Sequence, residues 1–283
     1  MDIGSTGRGI MRLSLYAIVT ALGIPLQVLF LRFGGPYARF PAAYHRLCCR
    51  ILGLNVVMQG RPVTDRAALF ISNHSSYLDI PVLGSLLPAS FVAKNEVGGW
   101  PLFGLLARLQ RTVFVDRNAR HRADEQRDSI AGRLQAGDKL VLFPEGTSSD
   151  GNRTLPFKTA LFAVAATQVD GKPLTLQPVS VTATHLDGLP LGHAWRALYA
   201  WYGDMELPPH LWQLARLGGR IRVLVEFHPP VSLADFSSRK ALAEHCWRTV
   251  AAGVERAVKG RDEPLVAGND AALPAAPLPA AVG

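Results

Sequence analysis

Cysteine is scarce in this 283-residue chain. There are three, two of them adjacent (Cys48 and Cys49), which excludes a disulfide framework, and no Cys/His spacing suits zinc. A reducing compartment and a site without metal are therefore expected. Charge is thin as well: 18% of residues are Asp, Glu, Lys or Arg, against roughly 25% in ordinary soluble domains. What charge there is leans one way, 30 basic residues against 22 acidic, a formal +8. Neither a Walker loop nor a dinucleotide fingerprint occurs, so nucleoside-triphosphate chemistry has no cradle. Internal repeats are missing too. Apolar residues, by contrast, make up 48% of the chain, ample for a core and too many for a disordered polymer. A basic, apolar-rich protein suits nucleic acid, an anionic membrane or an acidic partner, and composition leaves all three open.

The N-terminus narrows that choice. Leu13 to Leu31, LSLYAIVTALGIPLQVLFL, carries no charge, with Arg8 and Arg12 before it and Arg32 and Arg39 after it. Its length is at the edge of the about 20 residues that span a bilayer. Pro25 favours a kinked or re-entrant path as much as a straight one, and arginine on both flanks fixes no orientation. A cleaved leader fits poorly, since no small-x-small site follows cleanly. The bland reading is a buried helix of a soluble domain. The reading adopted is that residues 1–52, including an amphipathic stretch from 37 to 52, form a membrane-associated helical segment.

Beyond it, β-branched runs at 54–59, 67–72, 91–94, 112–116, 139–143, 174–182 and 221–227 read as strands. Helical patterns at 80–87, 101–109, 120–135 and 157–168 alternate with them, and a last helix covers 239–259. The alternation predicts an α/β domain over 53–262, a mixed sheet covered by helices on both faces. The Ala/Pro-rich tail, 263–283, is expected to be disordered.

Chemistry-bearing residues gather at strand ends. In FISNHSSYLDIP, His74 and Asp79 follow a buried strand. Five residues on a helix put two side chains about 140° apart, so a single regular helix would not bring the pair together, whereas a strand–turn–helix junction could. If they meet, Asp79 fixes the imidazole tautomer and the other ring nitrogen takes a proton from a hydroxyl. The plain alternatives are a helix cap for Asp79 and a backbone-bonded loop residue for His74. LVLFPEGTSS places Glu145, Gly146 and Thr147 after a second strand, in a turn whose backbone N–H groups can face a ligand. Lys94 and Arg117 close two more strands. In open α/β sheets such ends line the ligand crevice.

NHSSYLD, FVDR, FPEGTSS and LQPVSVT occur in an order and spacing that resembles the four blocks of the glycerolipid acyltransferases. The nearest group is similar to the 1-acylglycerol-3-phosphate acyltransferases and the lyso-ornithine lipid acyltransferases. The resemblance implies direct acyl transfer from a thioester to a lysolipid hydroxyl. His74 would then be the general base and Asp79 its orienting partner. Lys94, Arg117, Glu145, Gly146 and Thr147 would serve substrate binding. No metal or cofactor is implied; acyl-CoA or acyl carrier protein is the co-substrate, and the partners are a lysolipid, that donor and the membrane, with no nucleic acid. The expected location is the inner (cytoplasmic) membrane with the catalytic domain facing the cytoplasm. On family frequency the expected acceptor is 1-acylglycerol-3-phosphate, yielding phosphatidate, with lyso-ornithine lipid as the alternative. A non-catalytic basic membrane-binding protein is the reading from another class. Two departures matter. Ser148 stands where the family's third block usually has a phosphate-holding arginine, and Arg111 stands where the second block commonly has glycine. Aromatics from Trp195 to Trp212 are either an interfacial belt or buried core.

Overall fold

The computed structural model describes residues 4–115 and 123–261. Arg117 and the tail at 263–283 lie outside the described residues. Two helices open the chain, α1 (Thr6–Phe33) and α2 (Phe40–Leu52), and Gly53, in the left-handed region at φ 76°, turns the chain into β1 (Leu54–Gln59). Then follow β2 (Ala68–Ser72), α3 (Asp79–Leu86), β3 (Ser90–Lys94), α4 (Phe103–Leu109), β4 (Val113–Val115), α5 (Ala123–Gln135) and β5 (Lys139–Leu142). A small hairpin, β6 (Gln168–Val169) with β7 (Lys172–Pro173), precedes the long β8 (Thr175–Leu186), and β9 (Leu189–Pro190) folds back on it. Last come α6 (Leu207–Arg216), β10 (Ile221–Phe227) and α7 (Arg239–Val258).

The sheet runs β1-β10-β8-β2-β5-β3-β4. Every neighbouring pair along that order is parallel except β10 with β8. β2 lies at its centre and is buried on both faces, as an unbroken apolar strand should be. Ala68 and Phe70 face a core shared with α2, α3 and α6; Leu69 and Ile71 face a second core shared with α5 and α7. The expected mixed sheet with helices on both faces is thus the one observed. One expected helix is corrected: 159–166 forms a 3-10 helix, not an α-helix.

The first helix is apolar on most sides but sends its few polar groups inward. Gly9, Arg12, Tyr16, Thr20, Gly23 and Gln27 form one packed stripe, flanked by half-buried Val19, Ile24 and Phe30, while Met11, Leu15, Ile18, Leu22, Leu26, Leu29 and Phe33 form an exposed one. Both stripes step by three or four residues, one helical face each. Thr20 bonds the Tyr44 hydroxyl at 2.8 Å, and the Gln27 amide donates to the carbonyls of Tyr37 and Leu109, both at 3.0 Å. By length and composition the helix is capable of crossing a membrane, and only 11% of its most apolar window is buried. A soluble protein's core helix shows the opposite pattern.

Arg111 sits in the left-handed region at φ 59°. Glycine is the residue that takes this conformation without steric penalty, so an arginine here is strained. Here the arginine compensates by pairing both guanidinium nitrogens with Asp138 at 3.3–3.4 Å and stacking over Tyr37.

Candidate active site

Because β2, β5, β3 and β4 are parallel neighbours, their C-terminal ends share one edge of the sheet. The His74 loop leaves β2, the Phe143–Thr147 turn leaves β5, and Lys94 closes β3. His74 and Asp79 do meet, and at a strand–turn–helix junction. Residues 73–78 turn before α3 begins at Asp79, and the His74 Nδ1 lies 2.8 Å from Asp79 Oδ2. The same oxygen accepts the backbone N–H groups of Ser75 and Ser76 at 2.8 and 3.0 Å. Asp79 therefore ties its own approach turn together and holds the imidazole as well; it is the first residue of α3 and not its cap, a place taken by Leu78 without a side-chain bond. Since the wholly buried carboxylate can only accept, Nδ1 carries the proton and Nε2 is left with its lone pair.

The imidazole is fixed from other sides. Its ring stacks on Phe143, with centroids 4.2 Å apart. Its backbone N–H donates to Glu145 Oε1 at 2.8 Å, and its carbonyl accepts the Ser149 N–H at 2.9 Å. Trp201 donates its backbone N–H to the Ser75 carbonyl at 2.8 Å, tying the turn to the chain beyond β9.

Glu145 faces the protein, not the crevice. Its second oxygen accepts the Leu155 N–H at 2.9 Å, so one buried carboxyl bridges the His74 loop and the segment after the β5 turn. Burial pushes its pKa up to about 8, two backbone donors pull it down, and the Asp79 charge adds to the rise. Its geometry makes it a brace, although both its place at a strand end and the resemblance of the FPEGTSS block pointed to a ligand contact. With the folded pKa above the unfolded value of 4.5, the folded state binds the extra proton between about pH 4.5 and 8. Stability contributed by this group is full below that window and declines through it as pH rises. Glu145→Gln can accept only one of the two N–H groups. It should destabilise the protein by about 1–3 kcal/mol and flatten the decline, which thermal melts from pH 5 to 8 would reveal.

Beside His74 opens a cavity of about 490 Å³ with a largely apolar wall. Tyr16, Thr20 and Gln27 of α1, Tyr44 and His45 of α2, and Phe103 and Leu106 of α4 contribute to it. Its polar end holds His74, Lys94, Gly146, Thr147 and Ser148, so four of the expected site residues are brought together with the place of the missing arginine. His45, the other histidine of the wall, bonds the Gln110 side chain and no carboxylate; burial holds its pKa at about 4. Most backbone donors of the two turns are occupied. His74 N–H is held by Glu145, Ser75 and Ser76 by Asp79, and Gly146 N–H by the Phe143 carbonyl. The N–H groups of Thr147 and Ser148 make no hydrogen bond among the described residues. Gly146, at φ 77°, is what lets the turn present them.

The aromatic set from 195 to 212 divides. Trp195 is exposed, Trp201 lines the cavity with its ring edge-on to Tyr77, and Trp212 packs on Gly9 of α1. Tyr199 is buried, with its hydroxyl 2.7 Å from Asp79 Oδ1. Sequence reasoning missed that role, because nothing in a lone tyrosine 120 residues downstream marks it.

A parallel sheet edge with an Asp-held histidine opening on an apolar cavity defines a site for transfer to or from a lipid-like molecule. Residues 54–182 match the family model described as Acyltransferase. The chain is 43% identical over 245 residues to the lyso-ornithine lipid O-acyltransferase of Brucella abortus, covering 85% of this chain and 91% of that one. To the enzyme of the same name from Rhizobium meliloti it is 38% identical, covering 93% and 91%. To the 1-acyl-sn-glycerol-3-phosphate acyltransferase of Neisseria gonorrhoeae it is 31% identical, covering 72% and 75%. The crystal structure of the 1-acyl-sn-glycerophosphate acyltransferase from Thermotoga maritima shares the fold, with a TM-score of 0.62 over 88% of this chain and 97% of that one at 20% identity. The chain belongs to the acyltransferase family that contains these lysolipid enzymes, and it is an O-acyltransferase of lysolipids.

Proposed function

We propose that the protein esterifies the free hydroxyl of lyso-ornithine lipid, with His74 as general base. The observation that carries the catalytic part is the His74–Asp79 pair at 2.8 Å beside the apolar cavity. His74 Nε2 takes the proton as the acceptor oxygen attacks the thioester carbonyl carbon. The tetrahedral oxyanion is met by the Thr147 and Ser148 N–H groups. Its collapse breaks the C–S bond, and the departing sulfur receives the proton back from Nε2. The products are the ester and the free thiol of coenzyme A or acyl carrier protein. Both donors are acidic, which suits a chain of net charge +8.

Two observations favour lyso-ornithine lipid as acceptor. Identity to relatives of that name reaches 43%, against 31% for the Neisseria lysophosphatidate enzyme. Ser148, at the polar end of the cavity, offers a neutral hydroxyl where phosphate recognition wants a bidentate guanidinium. Lys94, exposed at the same end, supports an anionic group on the acceptor: the ornithine carboxylate, or on the second reading the phosphate of 1-acylglycerol-3-phosphate. The test is to give both acceptors to the purified protein with one labelled acyl thioester. A kcat/KM for lyso-ornithine lipid at least about tenfold above that for lysophosphatidate is expected; the reverse order overturns the assignment. Ser148→Arg should raise kcat/KM for lysophosphatidate about tenfold, the worth of one charge-assisted hydrogen bond, and leave lyso-ornithine transfer flat or lower. Equal loss with both would make position 148 a packing site.

The membrane supplies the lysolipid. The outward stripe of α1 supports immersion in one leaflet, because its inward stripe packs along the catalytic domain on α2, α4 and α6, which carry Arg46, Arg50, Arg108 and Arg216. A crossing helix would draw those charges into hydrocarbon. The protein then acts at the cytoplasmic face of the inner membrane, where soluble thioester donors are found.

A further inference from the structure

We infer that Tyr199 is a positioning residue for the reaction, its hydroxyl fixing the Asp79 carboxylate that orients His74. The inference rests on the reading of His74 as the base and extends it to a third member. Tyr199 lies beyond the 54–182 family match and does not line the cavity, so it has no route to the substrate. It acts only through Asp79.

The donors around that carboxylate are unequally shared. Oδ2 receives His74 Nδ1–H and the N–H groups of Ser75 and Ser76. Oδ1 has the Tyr199 hydroxyl at 2.7 Å and the Ser75 hydroxyl at a long 3.5 Å. Among the described residues no lysine or arginine pairs with Asp79, which is fully buried, so its charge is sustained by hydrogen bonds alone. The other titratable groups nearby are Glu145, Tyr77 and Cys49, and none of them is cationic. Burial and the Asp79 charge hold the Tyr199 phenol protonated across the working range, so it is a permanent donor.

The segment that carries Tyr199 is pinned on both sides. The N–H groups of Tyr199 and Ala200 bond the Arg196 carbonyl at 2.9 and 2.8 Å, Arg196 Nη1 bonds Asn152 at 2.9 Å, and Trp201 bonds Ser75. A fixed donor on Oδ1 keeps the carboxylate plane from rotating and draws charge away from Oδ2. Without it Asp79 is more basic, binds the protonated imidazole more tightly and raises the pKa of His74.

The experiment is Tyr199→Phe in the full-length protein, with kcat, acceptor KM and the pH dependence of kcat/KM measured using acyl-CoA and lyso-ornithine lipid. Expected are a fall in kcat of about tenfold, an acceptor KM within about twofold of wild type, and an acid limb moved to higher pH. 3-Fluorotyrosine at 199 keeps the shape and strengthens the donor, so its limb should move to lower pH; it also serves if the phenylalanine variant fails to fold. A wild-type kcat and limb, or a loss of kcat with no movement of the limb in either protein, overturns the inference. His74→Ala, run alongside, separates the two claims. Activity there defeats the base assignment, whereas an inactive His74→Ala beside an unaffected Tyr199→Phe defeats only the role of Tyr199.

Discussion

His74→Ala should lower kcat by about 10² to 10⁴ with the fold retained. Among the described residues the imidazole is the one cavity-lining ring held by a carboxylate, and the substitution leaves the backbone bonds of residue 74 to Glu145 and Ser149 in place. The melting temperature is therefore expected to move little while turnover collapses. Asp79→Asn is a different kind of change. The amide would place its NH₂ or its oxygen wrongly for His74, Ser75, Ser76 or Tyr199, so both stability and rate should fall. A folded His74→Ala protein keeping more than a tenth of wild-type turnover would contradict the base assignment.

Ile18→Asp with Leu22→Asp should release the protein from lipid vesicles. Both side chains are exposed, at 56% and 68%, so neither change disturbs the packing of α1 on α2 and α6. Each removes an apolar side chain worth about 1.5–3 kcal/mol on burial in the bilayer and adds a charge that lipid rejects. Together they should cost well over a hundredfold in partitioning, and flotation with vesicles measures it. Transfer to lysolipid dispersed in detergent should persist, since His74 and the cavity wall are untouched. Unchanged flotation would place the main contact elsewhere, the exposed Trp195 being one candidate.

Sheet and dyad were legible in the sequence for a definite reason. A central parallel strand such as β2 must be apolar on both faces, and ALFIS is; a five-residue spacing keeps His74 and Asp79 apart on a regular helix, and the ordered blocks around them pointed to a turn that joins them. The 159–166 segment misled because TALFAVAA is as apolar as a buried helix, and composition does not distinguish α from 3-10 geometry. α6 was overlooked because LPPHLWQLAR is short and opens on two prolines, although a first turn tolerates them. Glu145 reads as a crevice residue from its strand end, yet only the folded backbone brings the N–H groups of His74 and Leu155 to it. Tyr199 is the plainest case. Its partner is far away in the chain, and a hydrogen bond across that distance leaves no local pattern.

The most direct test of the account follows the label of a radioactive acyl thioester through a single turnover, quenched at intervals, with excess protein and lyso-ornithine lipid. Direct transfer under His74 predicts that ester and free thiol appear together in equal amounts, with no labelled protein at any time and no thiol release when the acceptor is left out. Label bound covalently to the protein and then chased into product would contradict it.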